Sequence, residues 1–444
     1  MTDKLIHTVS SFLKTHKSDK PLLIGFSGGP DSLALLHTLL SLKENIAIAH
    51  VDHGWREESR EEAAKICSMG AELGVPVHMK VLALGNPGGN LEAICRDERL
   101  SFFNSLCEKY GYEAVLLGHH ADDHAETVLK RILEGAALSN LCGITPETVF
   151  GKMKVWRPLL TVTKKDILCW LHNRGLEGFN DRTNTDAKFL RARLRTDLLP
   201  YLSTVFGKEV CSGLCHVGNE SAELIRYLDN KVSPYLAEIS SGPFGSLLDL
   251  SIKCPEEGVE LKHLLRRFFE KEKITFSREM LAQAVHLIST GAANKSLGDC
   301  LGEIDRRRIF LLHSPLPKVA SETVLLPKNG TLVWGGWYVS ASPSIKKKGF
   351  TTFSMRFHSE TTKLFDQETF KEETTNWLSL WKGAGRVSLP DGDYFLAPPE
   401  NNLLCKENIS LSKWWSDRKV PAFLRHCAPV ILQNGRVRHE FLAE

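Results

Sequence analysis

No stretch of the 444 residues approaches the roughly 18 consecutive apolar residues that a membrane-spanning helix needs. The strongest candidate, Leu33 to Leu42, is interrupted by His37, Thr38 and Ser41. The first twenty residues have no continuous apolar core and no small-residue cleavage site, so a secretory signal is not expected. Paired cysteines are also missing. The eleven Cys are an odd number at irregular spacings, no C-x-x-C occurs, and the nearest pair, Cys211 and Cys215, is separated by three residues. Reduced, buried thiols in a cytoplasmic protein fit that usage better than disulfides or zinc. A dominant charge is absent as well: 56 Lys+Arg against 53 Asp+Glu leave a net +3. Any nucleic-acid surface must therefore come from local clustering. Internal repeats and low-complexity tracts are lacking too. What remains is ordinary globular usage, 42% hydrophobic and 25% charged, which is incompatible with a disordered chain. At roughly 150 residues per domain the length suggests about three domains.

The first 130 residues alternate between short apolar runs and helical patterns. Leu22 to Phe26, Ile46 to Val51, Val75 to Leu82 and Ala114 to Leu117 read as strands. Asp31 to Leu42, Glu57 to Leu73 (with Ala63, Ala64, Ile66 and Cys67 inward), Leu91 to Tyr110 and Asp122 to Leu133 read as helices. Strands separated by helices of this length imply βαβ units, hence a parallel sheet covered on both faces. The expected architecture is α/β. A doubly wound parallel sheet occupies residues 1–215, a helical middle domain 216–318, and a small α+β domain 319–444. In the last of these, Asn434-Gly435 should turn a hairpin. Ligands of a doubly wound sheet sit outside the carboxyl ends of its strands. Three segments should therefore share one rim: Ser27-Gly-Gly-Pro-Asp-Ser32, Asp52-His-Gly-Trp-Arg56 and Gly118-His-His-Ala-Asp-Asp123.

The first of these carries the clearest chemistry. Gly28 and Gly29 let backbone N–H groups turn toward an anion with no Cβ in the way. The helix that follows adds its positive end. Ser27 and Ser32 can bond phosphate oxygens, Pro30 fits the first turn of the helix, and a carboxylate at Asp31 makes sense if Mg²⁺ lies between it and the phosphates. The lysine of a Gly-x-x-x-x-Gly-Lys-Ser/Thr loop is missing, so γ-phosphoryl transfer is not implied. A plain strand-to-helix turn would account for one Gly and one Ser, but not for six specified positions.

Ser27-Gly-Gly-Pro-Asp-Ser32 resembles the loop of the PP-loop ATP pyrophosphatase family, Ser-Gly-Gly-x-Asp-Ser. Further segments narrow the resemblance. They are His50-Val-Asp-His-Gly-Trp-Arg56, Asn90-Leu-Glu92-Ala-Ile-Cys-Arg96-Asp-Glu-Arg99, Gly118 to Thr127, Arg157-Pro-Leu-Leu160, Asp181-Arg-Thr-Asn184 and Phe189 to Pro200. In this order they are similar to the tRNA(Ile)-lysidine synthase family. The similarity is dense over about the first 200 residues and returns at Lys413 to Arg425. It implies a Rossmann-like PP-loop domain followed by two tRNA-binding domains. It also implies ATP and Mg²⁺ as cofactors. The reaction would attach free L-lysine to C2 of the wobble cytidine of a CAU-anticodon tRNA(Ile) through an adenylated cytidine. AMP and diphosphate would leave, and the tRNA would change identity from Met to Ile. A cytoplasmic enzyme, without membrane attachment and with homodimerisation open, is the corresponding expectation.

On that resemblance, Ser27, Gly28, Gly29, Pro30, Asp31 and Ser32 bind the nucleotide, with Asp52 and His53 lining its adenine or ribose end. Asp122, Asp123 and Glu126 open one helix; Asp122 and Glu126, four apart, share a face. They could hold lysine, hold Mg²⁺ (with Asp31 and Asp123 as the ligands) or accept a proton. Helix-dipole complementarity explains some acids there but not three with two His beside them. Arg96 could meet a phosphate or the lysine carboxylate as an arginine fork, with Glu92 on the same helix. Asp31, Asp123, Glu126 and Arg96 are the expected catalytic residues; Glu92, Asp122, Arg191, Arg193 and Arg195 are expected to contact lysine or tRNA. The last three alternate every second residue, which on a helix spreads them over different faces. Lys152, Lys154, Arg157, Lys164 and Lys165 form a second basic cluster, suited to RNA phosphates. One of Trp414 and Trp415 is expected in the core; the other could stack on a base.

Two positions depart from the family pattern: Glu134-Gly-Ala-Ala stands for Arg-Gly-Ser/Ala-Gly, and Ala192-Arg-Leu-Arg195 for Asn-Arg-Ile-Arg. Neither touches the phosphate loop. The rivals are a thiolase-type PP-loop tRNA enzyme, which would want the missing paired Cys, and a non-catalytic RNA-binding relative, against which the intact Asp31, Ser32, Asp123 and Glu126 argue.

Overall fold

The computed structural model describes residues 4–16, 19–52, 58–82, 91–178, 190–298, 302–313, 316, 319–345, 347–357, 376–405 and 408–443. The chain divides into two compact units, Met1–Arg226 and Tyr227–Glu444.

The first unit opens with α1 (Lys4–His16), which buries Leu5, Val9 and Leu13 at four-residue spacing. Then come β1 (Leu22–Gly25), α2 (Pro30–Ser41), β2 (Ile46–Asp52), α3 (Glu58–Leu73), β3 (Val77–Val81), α4 (Leu91–Tyr110), β4 (Val115–Leu116) and α5 (Ala121–Leu133). A hairpin of β5 (Glu147–Phe150) and β6 (Met153–Trp156) precedes α6 (Lys164–His172). The sheet order is β3-β2-β1-β4-β6-β5, parallel except for the edge strand β5. Its central strands are buried on both faces, with all seven residues of β2 inside. Alternate residues feed two cores. Leu22, Ile24, Ile46, Ile48 and Trp156 pack with α1, α2 and α6; Leu23, Ala47, Ala49 and Val155 pack with Phe103 and Leu106 of α4. The chain runs outward from β1 to β2 and β3, then returns to the other side of β1 as β4. The switch point of the sheet therefore lies between the ends of β1 and β4. In α3 only Ile66 of the four residues expected inward is fully buried, and Cys67 is exposed. The helix turns its Ile66, Met69 and Leu73 edge to the sheet instead.

The unit continues through α7 (Leu190–Arg193), a π-helical turn (Leu194–Leu198) and α8 (Leu199–Phe206). The division between the units falls inside α9 (Cys211–Ala237).

The segment expected to be helical, 216–318, holds the rest of α9 with α10 (Gly258–Lys271) and α11 (Arg278–Thr290). It also carries five antiparallel strands, β7 (Ser240–Gly242), β8 (Gly245–Asp249), β9 (Lys295–Leu297), β10 (Gly302–Asp305) and β11 (Arg308–Leu312). These strands run three to five residues, too short to show a clear period of two. The remainder contains β12 (Val324–Leu325) and a meander of β13 (Gly330–Trp334), β14 (Trp337–Pro343), β15 (Phe350–Phe357) and β16 (Ala384–Pro390), with α12 (Trp377–Trp381) before its last strand. It closes with β17 (Phe395–Ala397, paired with β12), α13 (Leu411–Asp417), β18 (Val430–Gln433) and β19 (Arg436–Glu440). Asn434 and Gly435 both take positive φ, 53° and 72°, and turn β18 into β19. Trp414 and Trp415 are both core residues, so neither is placed to stack on a base. Their indole N–H groups donate to the two oxygens of the buried Glu440 carboxylate. No helix among the described residues is long and apolar enough to cross a membrane.

Candidate functional site

The carboxyl end of β1 leads through Phe26 into the glycine loop. Gly28 sits at φ 82°, a region that admits glycine at no steric cost. Gly29 is the N-cap of α2 and offers no side-chain cap, so the helix begins with its amides unclaimed by any side chain at that position. The loop braces itself: Ser32 Oγ donates to Gly29 O at 3.0 Å, lies 3.2 Å from Ser27 Oγ, and accepts from Ser27 N–H at 3.3 Å. Ser32 is buried and Ser27 exposed, which leaves Ser27 the freer hydroxyl. A pre-shaped loop ending on an uncapped helix start fits a phosphate chain.

Gly118, after β4, packs directly on this loop. A Cβ there would stand 2.9 Å from the Asp31 carbonyl carbon and 3.0 Å from Ser32 N. Gly178 is equally confined, its Cβ falling 2.8 Å from Pro30 N. Beyond Gly118 lies α5, whose first N–H, on Ala121, donates to Val162 O at 2.9 Å. Lys164 N–H, at the start of α6, donates to Asp122 Oδ2 at 2.8 Å. Three helix N-termini (α2, α5 and α6) thus converge at the switch point, and their positive ends offset the acids gathered there.

His120 is the hub of those acids. It caps α5 by donating its backbone N–H to Asp123 Oδ2 at 3.0 Å. Its ring is 2% exposed; Nε2 stands 3.7 Å from Asp31 Oδ1 and 3.5 Å from Asp123 Oδ2. Nδ1 stands 3.4 Å from Asp122 Oδ2, too poorly aligned for a full hydrogen bond, so the contact is chiefly Coulombic. Burial disfavours the charged ring, but Asp122, Asp123 and Asp31 outweigh it and hold the His120 pKa above its ordinary value. Burial likewise works against ionised Asp122, yet His120 and the Lys164 N–H prevail and lower its pKa.

Two cations complete the cluster. Lys164 Nζ donates to Asp31 Oδ1 at 2.5 Å. From the π-helical turn, Arg195 donates through Nε to Glu126 Oε1 at 2.6 Å and through Nη2 to Asp123 Oδ1 at 2.8 Å. Glu126 is 4% exposed, and burial raises its pKa despite Arg195. A π turn inserts one extra residue, which redirects the side chains after it; here it aims Arg195 at the acids.

The structure thus brings together Asp31, Ser32, Asp122, Asp123, Glu126 and Arg195. Asp52 ends β2 on the same rim and is buried. His53 lies outside the described residues, as does Asp181 to Asn184; Glu92 is placed only as backbone in the first turn of α4. The three alternating arginines point three ways. Arg195 meets the acids, Arg193 borders an apolar groove with Tyr201 and Leu133, and Arg191 borders a polar cavity with Arg96 and Glu126. Asp31 and Asp123 bring carboxylate oxygens within 3.7 and 3.5 Å of one imidazole nitrogen beside the loop, and among the described residues no group of three or more His, Cys, Asp or Glu is placed to hold a metal ion by itself. Sequence reasoning missed the roles of His120 and Lys164. Lys164 looked like one more surface lysine, and only the meeting of α6 with α2 puts it on Asp31.

Residues 1–202 match the PP-loop domain family. The first unit is thus a PP-loop domain, of the kind that the Ser-Gly-Gly-Pro-Asp-Ser loop at a sheet switch point defines. The whole chain is similar to a tRNA(Ile)-lysidine synthase of Protochlamydia amoebophila, 35% identical, covering 99% of this chain and 92% of the relative. A tRNA(Ile)-lysidine synthase of Chlamydia muridarum is 36% identical, covering 64% of this chain and 90% of the relative. The chain belongs to the tRNA(Ile)-lysidine synthase family. Among solved structures, the U34-tRNA thiolase NcsA from Methanococcus maripaludis with its [4Fe-4S] cluster aligns over 50% of this chain and 79% of its own. Its TM-score is 0.42 and its identity 17%, a likeness too slight to bear on chemistry.

Proposed function

We propose that this protein ligates free L-lysine to C2 of the wobble cytidine of a CAU-anticodon tRNA(Ile), consuming ATP and releasing AMP and diphosphate. The observation that carries the reading is the contact at Gly118. It sets an uncapped phosphate loop directly against a cluster of four carboxylates. The loop amides and the α2 N-terminus grip the phosphates, and Asp52 takes the adenine or ribose end. Lys164 is positioned to follow the negative charge that develops on the departing diphosphate. Mg²⁺, held by Asp31 and Asp123, would neutralise phosphate charge when bound.

A cytosine O2 leaves poorly, whereas AMP leaves well, so adenylation of O2 comes first. The lysine amine then attacks C2 and AMP departs. The acids Asp122, Asp123 and Glu126 hold the lysine ammonium group and take its proton, Glu126 being best tuned for this because burial has already raised its pKa. His120 keeps Asp31 and Asp123 in one geometry. Arg96 and Arg191 meet oxyanions of the substrates, and Arg193 faces RNA. We assign tRNA contact to residues 216–318 and 319–444, and place the enzyme in the cytoplasm, with a homodimer open to test.

The test is incubation with ATP, labelled lysine and CAU-anticodon tRNA(Ile). Label should enter the tRNA only when ATP is present, and release of AMP should require both lysine and tRNA. ATP hydrolysis indifferent to lysine would refute the reading.

A further inference from the structure

His124 stands on α5 between Asp123 and Glu126 and is 5% exposed. At about 100° per residue it points about 200° away from Glu126, toward the body of the unit. Its Nδ1 lies 2.9 Å from Ile144 O and 3.1 Å from Ile144 N, so one tautomer donates to the carbonyl and the other accepts from the N–H. Two glycines from separate segments grip the ring. A Cβ on Gly143 would stand 2.7 Å from its Cε1 and Nδ1; one on Gly218 of α9 would stand 2.5 Å from its Nε2. Two further bonds seat the same side of α9. Cys215 Sγ donates to Ala121 O at 3.3 Å, and Ser221 Oγ donates to Leu138 O at 2.7 Å. Cys215, Gly218 and Ser221 are spaced three apart and so share a face.

Packing alone does not call for a histidine here. Burial holds the ring below its ordinary pKa, so it is neutral, and Nε2 turns toward the Cys215 backbone without completing a hydrogen bond. A leucine would fill much the same space and leave no nitrogen unmet. What the imidazole adds is a directional bond to Ile144, made inside a slot that glycine neighbours leave open. The other inward residues of this helix, Ala125, Val128 and Leu129, make smooth apolar contacts that do not by themselves stop it from rolling. Side chains end roughly 5–6 Å from a helix axis, so a roll of about 10° moves a carboxylate by about 1 Å. A misplacement of that size at a reacting centre costs on the order of 100-fold in rate.

We propose that His124 is a positioning residue: keyed to Ile144 and stopped by Gly218, it sets the rotation of α5 at which Asp123 and Glu126 meet the incoming amine. The inference rests on the reading above and adds to it the residue that aims the acids.

The test compares His124→Leu, which keeps the bulk and loses the bond, with His124→Asn, whose amide reaches Ile144 from nearly the place of Nδ1. Gly218→Ala presses on the ring from outside α5, and it decides the matter should His124→Leu fail to fold. Lysine-dependent AMP release gives kcat and the KM for ATP, and calorimetric ATP binding counts the folded molecules. In His124→Leu and in Gly218→Ala, kcat should fall about tenfold or more while the KM for ATP stays within about twofold. His124→Asn should recover most of the lost kcat. Wild-type kcat in a folded His124→Leu or Gly218→Ala overturns the role. So does a parallel loss of kcat and ATP binding that His124→Asn leaves unrepaired, because that marks general loosening. Absence of lysine-dependent AMP release in wild type would instead count against the reading beneath.

Discussion

Gly118→Ala isolates the fit between the acid helix and the phosphate loop. Gly118 is not in the positive-φ region, so alanine brings no backbone strain. It brings only a methyl group, and its neighbours are backbone: the Asp31 carbonyl carbon at 2.9 Å, the Asp31 oxygen and Ser32 N at 3.0 Å. Restoring an ordinary contact of 3.4 Å requires the start of α2 to retreat by about half an ångström. Neither side yields easily, since Leu33 and Leu36 anchor α2 in the core and Ala125 and Val128 anchor α5. Overpacking of this kind costs about 1–3 kcal/mol. The larger effect falls on rate, because a misplacement approaching 1 Å at a reacting centre costs on the order of 100-fold. Urea denaturation and lysine-dependent AMP release from the same preparation read both quantities. We expect a stability loss near the low end of that range and a kcat loss of about tenfold or more. Wild-type stability together with wild-type turnover would refute the claimed contact.

Arg195→Met leaves buried Glu126 facing Asp123 with no cation between them. Discounting for the partial exposure of Arg195, it should cost about 2 kcal/mol in urea denaturation, with the Glu126 pKa rising further. His119 titrates at about 4 when folded against 6.5 in the unfolded chain, so its contribution is complete above pH 6.5 and is lost as pH falls toward 4. The loss is at most roughly 3 kcal/mol, and His119→Gln should flatten that acid limb in urea midpoints measured against pH. His120 has the opposite sign: its raised pKa stabilises at low pH, and that contribution fades as pH rises through its folded pKa. In the second unit, Glu440 accepts from Trp414, Trp415 and the N–H groups of Leu442 and Ala443. Glu440→Gln would turn an amide N–H₂ toward donors; about 3 kcal/mol of stability should go, without weakening ATP binding as read by calorimetry.

The parallel sheet was legible because β1, β2 and β4 are buried on both faces and their glycine-marked ends stand at regular helical intervals. The phosphate loop was legible because special backbone geometry demands special residues. What escaped were facts of assembly. Lys164 is 133 residues from Asp31, and nothing in its neighbourhood distinguishes it from Lys165. The inward face of α3 was misjudged because two alanines and a cysteine look apolar while Met69 and Leu73 make the contact. The five strands between residues 240 and 312 were invisible at three to five residues each. The two tryptophans of α13 gave no sign of their shared partner, which lies some 25 residues further along the chain.

The most direct measurement is AMP formation from ATP by the purified protein, with and without lysine and CAU-anticodon tRNA, in wild type and Asp31→Ala. AMP should appear in wild type only when both co-substrates are present. It should vanish in the variant, while tRNA affinity stays near wild type. Lysine-coupled AMP release that survives in Asp31→Ala, or is absent from wild type, would contradict the account.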